Sequence, residues 1–402
     1  MIKPTKPLGQ TEFIAMTAML VACVAISIDA MLPALPEIGA ELTPNNLNRA
    51  QLIVTSFIIG MGVGTLFVGP LADRFGRKSV ILVGAILFSM AAISAMFAQT
   101  LEAMIAARVV MGLGAAAPRV AAVAMVRDLH SGRNMARIMS FVMLIFSLVP
   151  ALAPTLGALV IAWSGWRSIF VAFAAFSLLA TLWLMVRQPE TLAPENRRPL
   201  SFRKLGDAIV EVFSHPTARL ATFVQTLGMG MLFAVLSSTQ QVFDQTYGQG
   251  HSFHFWFGGI AILASSASIV NARLVGKLGM RPIIKFMMTF QIITSIGMIM
   301  IVSLGLPANV ELYFYAFWTW SVFFNIGLTM GNLNALALEP MGHIAGSAAS
   351  IVTATATIGA TLIAIPVGLS FNGTPMPLAI GAFVCSTLAL YLTSKIKRDS
   401  DG

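Results

Sequence analysis

Gly69–Pro70–Leu71–Ala72–Asp73–Arg74–Phe75–Gly76–Arg77–Lys78 is a short basic turn set between two long apolar runs. In the second half of the chain, Ala272–Arg273–Leu274–Val275–Gly276–Lys277–Leu278–Gly279–Met280–Arg281 stands between another two such runs. The Gly, two basic positions and their spacing recur, and the Asp is lost. An internal repeat of this kind implies two helical bundles of like construction.

Reading outward from the two turns, apolar runs between breakers predict membrane spans near 12–35, 50–70, 80–97, 102–126, 136–162 and 167–187. A second set falls near 217–243, 254–276, 282–304, 311–336, 343–369 and 376–396. The expected organisation is an N-terminal six-helix bundle over 1–187, a cytoplasmic linker over 188–216 and a C-terminal six-helix bundle over 217–402. The linker is rich in Pro, Arg and Lys and holds a surface helix from Phe202 to Phe213.

Composition agrees with this layout. Of 402 residues 57% are apolar and only 10% charged, and the mean hydropathy is +0.83. Twelve spans of ~22 residues take roughly 264, which leaves no room for a sizeable soluble domain. A water-soluble enzyme is therefore excluded. The net charge of +9 is a matter of topology rather than of nucleic-acid binding. Starting inside, the termini and cytoplasmic loops hold 21 Lys and Arg, and the outside loops hold 2, Arg49 and Arg167. That asymmetry predicts an even number of spans with both ends in the cytoplasm. The first apolar run is preceded by Lys3 and Lys6 but offers no convincing cleavage site, so it is expected to be retained as a span. Cys23 and Cys385 lie inside apolar runs and imply no disulfide.

Four stretches carry a family resemblance. The turn Gly69–Lys78 resembles the gating motif of the major facilitator superfamily. In physical terms, Gly69 and Gly76 permit close helix approach and a tight turn, and Asp73 can accept hydrogen bonds at a nearby helix N-terminus. Arg74, Arg77 and Lys78 stay with the cytoplasmic headgroups. Ser27–Ile28–Asp29–Ala30–Met31–Leu32–Pro33–Ala34–Leu35–Pro36 is similar to the first span of drug:proton antiporters of the Bcr/CflA type. Arg108–Val109–Val110–Met111–Gly112–Leu113–Gly114–Ala115–Ala116 resembles the superfamily's buried-arginine motif. Pro150–Ala151–Leu152–Ala153–Pro154–Thr155–Leu156–Gly157 resembles the Pro/Gly motif of antiporters. A weaker match at Ala345–Ser350 extends the likeness over nearly the whole chain.

The resemblance implies an all-α membrane protein, twelve transmembrane helices in two pseudo-symmetric six-helix bundles. It implies a proton-coupled secondary transporter that exports small amphipathic or anionic molecules, a multidrug or metabolite efflux antiporter of the bacterial inner membrane. The implied partners are a small-molecule substrate, protons and the lipid bilayer. The expected chain is a monomer with no cofactor, no metal and no nucleic acid. The alternative is proton-coupled uptake of a small carboxylate metabolite.

Candidate mechanistic residues follow from charge placed in hydrocarbon. Asp29 is the only carboxylate well inside a predicted span. Low dielectric favours its protonated form, which suits it to exchange a proton for substrate. The bland reading is a hydrated Asp beside Pro33. Arg108 and Arg119 are the only bases inside the spans, 11 residues apart and about 20° from eclipsing on a helix. Gly112 and Ala115 share that stripe, and such small residues would leave room for water or an anion. For Arg108 the resemblance implies a part in the proton relay, against a structural bond to backbone carbonyls. Arg119 departs from the family pattern of small residues. Three readings stay open for it: contact with an anionic substrate, an ion pair with Asp29, or snorkelling toward Arg127 and the cytoplasm.

The remaining candidates are polar or kinked. Gln225, Gln240, Gln241, Asn325, Asn332 and Asn334 lie in spans as substrate contacts or as glue between helices, Asn271 as a structural group, and Trp318 and Trp320 as cavity lining or packing. Pro150, Pro154 and Gly157 mark a flexing or merely bent fifth span. Arg127 and Asp128 are placed either to join Asp73 in a cytoplasmic charge network that gates the protein or to form a solvated charge run. A sensor on the same fold would append a long signalling tail, and only Asp399 to Gly402 follow Arg398. A membrane-embedded enzyme lacks any converging acid–base or metal constellation.

Overall fold

A computed structural model of the chain describes residues 8–197 and 199–396. Lys3, Lys6, Arg198, Lys397 and Arg398, which entered the count of bases, lie outside the described residues. All regular structure among the described residues is helical. The first set is α1 (Gln10–Asp29), α2 (Leu35–Leu42), α3 (Gln51–Phe75), α4 (Arg77–Met96), α5 (Leu101–Leu129), α6 (Gly132–Ser164) and α7 (Ser168–Arg187). After the short linker helix α8 (Phe202–Ser214) come α9 (Pro216–Gln241), α10 (Phe253–Leu278), α11 (Met280–Ser303), α12 (Ala308–Leu338), α13 (Ala345–Leu369) and α14 (Met376–Ser394). Twelve of these are long and apolar. The pair α12 and α13 forms one apolar stretch, Ala308–Leu369, bent at Met341 in the tight turn Glu339–Ile344. Large side chains such as Val83, Met90 and Leu159 remain exposed on the helix faces, a surface suited to acyl chains rather than to water.

The first span is shorter than the apolar run predicts. α1 ends at Asp29, a 3-10 turn covers Leu32–Ala34, and α2 restarts at Leu35. Pro33 and Pro36 account for the break, because each removes a backbone donor and constrains the residue before it. α6, in contrast, runs as one helix through Pro150 and Pro154.

The chain forms two compact units. One is drawn from Met1–Thr43 and Ser56–Arg203, the other from Pro44–Thr55 and Lys204–Gly402. The division at Arg203 falls inside the Pro- and Arg-rich linker, while the start of α3 packs with the second unit. α8 has its apolar face on that unit: Ala208 and Val212 are buried, and the Phe213 ring lies 6.2 Å from Phe223 of α9.

Backbone geometry reproduces the sequence repeat. Gly76 starts α4 with φ 94° and ψ 154°, and Gly279 starts α11 with φ 81° and ψ 165°. Both angles lie where only glycine sits without strain, so each turn between two antiparallel spans depends on it. Within the first unit, small residues let backbones touch. A methyl placed on Gly112 of α5 would strike the Phe57 carbonyl oxygen and lie 2.7 Å from Met61 N, both on α3.

Gly112→Val therefore forces α3 and α5 apart, with a stability cost of about 1–3 kcal/mol as for other overpacked sites. Gly276→Ala, whose added methyl meets open space, should be neutral. Intrinsic tryptophan fluorescence melting in detergent checks both; equal midpoints for the two variants would refute the contact.

Candidate functional site

Asp29 closes α1 and is 4% exposed. The residues around it are fixed from two sides. Arg108 of α5 is fully buried, and its Nη2 donates to the Ser27 carbonyl at 3.1 Å. The guanidinium lies over the Phe57 ring, 4.4 Å from its centroid, which gives the buried cation a π-face as well. On the other side Gly157 of α6 sits against the Ala30 carbonyl so closely that any side chain there would collide with it. α1 thus ends between an arginine clamp and a glycine seat. Among the described residues no hydrogen bond or ion pair reaches the Asp29 carboxyl. It can take up or release a proton without breaking a protein contact.

Arg119 does not pair with Asp29. Its Nη1 meets the Met61 sulfur at 3.6 Å, and the side chain is half-buried. The expected open stripe between Arg108 and Arg119 is filled: Gly112 abuts the α3 backbone and Ala115 is fully buried. Small residues here serve helix approach rather than a channel.

The turn after α3 carries a charge network. Arg77 Nη1 donates to Asp73 at 2.6 Å, and its Nε to Asp128 at 3.0 Å. Asp128 also accepts from the Thr191 hydroxyl at 2.9 Å. Asp73 does not serve the helix N-terminus as expected. That role belongs to Glu190, whose carboxylate accepts from the Arg77 and Lys78 backbone amides at 3.0 and 3.1 Å. Lys78 extends to the opposite pole: its Nζ donates to the Gln188 and Met185 carbonyls at the end of α7. Anion at a helix start and cation at a helix end both match the macrodipole. Arg74 lies over Phe75, Arg127 is exposed outside the network, and Gly69 lies within α3.

The second unit supplies amides. Thr239 meets Tyr315 Oη at 3.2 Å, and a methyl on Gly228 would touch Ile326 and Met330, so α9 and α12 run antiparallel. This register sets Gln225 level with Asn332. Gln225 Oε1 and Asn325 Nδ2 are buried without a partner among the described residues. Asn332 instead donates to Asn271 Oδ1 at 2.8 Å, tying α12 to α10. Gln240 is buried, and Gln241 accepts from Gln51 Nε2 at 2.8 Å. Trp318 is packed, stacked on Tyr315 and bonded to Ser295, whereas Trp320 lines an apolar groove of about 690 Å³ with Phe255 and Phe317.

Several polar residues escaped the sequence reading. Glu190 sits in a linker with no motif to mark it, and its partners are 112 and 113 positions away. Asn48 caps the end of α13 through the Leu369 and Phe371 carbonyls, and Gln51 donates to Gly368 O. Glu311, at the edge of the tenth span, is a second buried acid, satisfied by Tyr247 Oη at 2.9 Å.

A polytopic helical protein with repeated bundles, a broken first span and an unpaired acid at the break has the layout of a membrane transporter. The model of the Major Facilitator Superfamily matches residues 17–364. The chain is 30% identical over 378 residues to a bicyclomycin resistance protein homolog of Haemophilus influenzae, covering 92% of each. It is 26% identical to the multidrug resistance protein MdtL of Shewanella oneidensis, covering 90% of this chain and 91% of that one. Its fold matches a D-xylose-proton symporter structure with TM-score 0.76 at 15% identity, over 96% of this chain and 98% of that one. The chain belongs to the Major Facilitator Superfamily. It is a multi-pass transporter of the inner membrane that acts on a small-molecule substrate.

Removing the Glu190 carboxylate leaves the first amides of α4 without their acceptor. Glu190→Ala should cost about 1 kcal/mol, the scale of a lost helix cap, read as a lowered melting midpoint. A midpoint equal to the native chain's would show that water replaces the carboxylate at no cost.

Proposed function

We propose that this chain is a proton-coupled exporter of small amphipathic molecules, with Asp29 as the proton carrier. The observation that carries the reading is the Asp29 carboxyl, buried at the break in the first span and without a partner among the described residues. Intramembrane acids of this kind mark proton and substrate pathways. The names of the relatives, bicyclomycin resistance and multidrug resistance, support efflux of drug-like compounds. Asp29 takes up a proton from the acidic side and releases it on the other, and the inward proton gradient coupled in this way drives the compound out.

The other residues have supporting parts. Arg108 is a positioning residue that holds the Ser27 carbonyl and so fixes where Asp29 stands. Gln225, Gln240, Asn325 and Asn332 offer neutral donors and acceptors to the substrate, a set that suits varied amphipathic compounds. Gly69, Asp73, Arg74, Gly76, Arg77, Lys78, Arg127 and Asp128 form the cytoplasmic gating turn and its surroundings, and Pro150, Pro154 and Gly157 the helix that packs on the end of α1. The chain works as a monomer; the 21-to-2 distribution of bases supports placing both termini in the cytoplasm.

In proteoliposomes with an imposed pH gradient, the native chain should concentrate an amphipathic fluorescent drug on the acidic side. Collapsing the gradient should abolish this, and Asp29→Asn should reduce it at least about tenfold. Native-level accumulation by Asp29→Asn would remove the carrier role. Accumulation on the alkaline side would indicate uptake by symport instead.

A further inference from the structure

Two arginines lie in the interior of α5, and only one of them is accounted for. Arg108 is spent on the Ser27 carbonyl and the Phe57 ring. Arg119 has a single contact among the described residues, a weak hydrogen bond to the Met61 sulfur. Five acids of the same unit are engaged elsewhere. Glu12 bonds Arg187, Glu41 bonds Arg167, Asp73 and Asp128 bond Arg77, and Glu190 holds the start of α4. Asp29 is unpaired but does not reach Arg119.

Nor does the side chain snorkel to the cytoplasmic surface. Gly112 abuts Met61 N, so the Met61 backbone lies level with residue 112 of α5. The Arg119 Cα is seven residues further on, about 10 Å along the axis. To meet the Met61 sulfur, the Arg119 side chain has to turn back along α5 toward Leu101, the direction helix side chains favour. It points away from Arg127 and the headgroups. A guanidinium in the middle of a span, half-buried, without an anion and without an exit is costly unless a ligand completes it.

From this placement we infer that Arg119 selects substrates that carry a carboxylate, which it binds through the planar fork of its guanidinium. The inference deepens the exporter reading by naming a substrate class and rests on it for the direction of transport only. Amphipathic molecules bearing one carboxylate fit best, because the acid engages Arg119.

The test is a binding titration on the full chain in detergent, followed by probe fluorescence. The probes are dansylglycine, a carboxylate, and dansylglycinamide, its neutral counterpart of nearly equal size. The native chain should bind the carboxylate about tenfold or more tightly than the amide, the scale of a charge-assisted bond. Arg119→Gln should bring the ratio to about one while retaining amide binding, and Arg119→Lys should keep part of the preference. A native chain that fails to bind the carboxylate, or binds both probes equally, overturns the inference whether or not the variants fold. So does an undiminished preference in Arg119→Gln. Failure of the exporter reading shows separately, as gradient-independent movement of both probes in vesicles while the binding ratio still depends on Arg119.

Discussion

A charged group inside hydrocarbon must be paired, hydrated or used, and this constraint organises the first unit of the protein. Arg108 meets it with a backbone carbonyl and an aromatic face. Arg77 meets it with two carboxylates at the membrane edge, and Lys78 with the last carbonyls of α7. Among the described residues Asp29 has no such partner, and Arg119 has only the Met61 sulfur. These two are an acid and a base on neighbouring helices, α1 and α5. The paired charges hold helices together.

Holding the unpaired acid in place is a matter of backbone contact rather than of charge. Ser27 is tied to α5 and Ala30 rests on Gly157 of α6, so the carboxyl between them cannot drift without moving two helices. The proline break after Asp29 adds to this, because it ends α1 at the acid and turns the chain before α2. Proton affinity and helix packing are thereby coupled. A change in how α1 meets α5 or α6 alters the surroundings of Asp29, and a change in its charge alters how well α1 fits.

The sequence made the spans and the repeat legible because both are local patterns. Apolar runs of the right length located all twelve long helices, and the recurring Gly76 and Gly279 matched a recurring positive φ. Asp29 stood out because a lone acid in an apolar run needs no partner to be noticed. What stayed hidden depends on distant partners. Nothing around Glu190 announces that it will serve amides more than a hundred positions away, and Gln51 gives no local sign of its bond to Gln241. The stripe from Arg108 to Arg119 misled for a related reason. Glycine spacing shows where a helix is thin, and only the fold shows whether a neighbouring backbone or water fills the gap.

The two halves keep the same backbone turn but not the same chemistry. At the position of Asp73 the second copy has Gly276, so the turn before α11 retains its glycine start and lacks the acid that anchors Arg77 in the first copy. Deeper in the membrane the contrast continues. The first unit carries Asp29, Arg108 and Arg119, whereas the second offers buried amides at Gln225, Gln240, Asn325 and Asn332. Amides form hydrogen bonds in any protonation state of the cargo, and their strength changes little with pH. The buried acid of the second unit, Glu311, is bonded to the Tyr247 hydroxyl, whereas Asp29 of the first has no partner among the described residues.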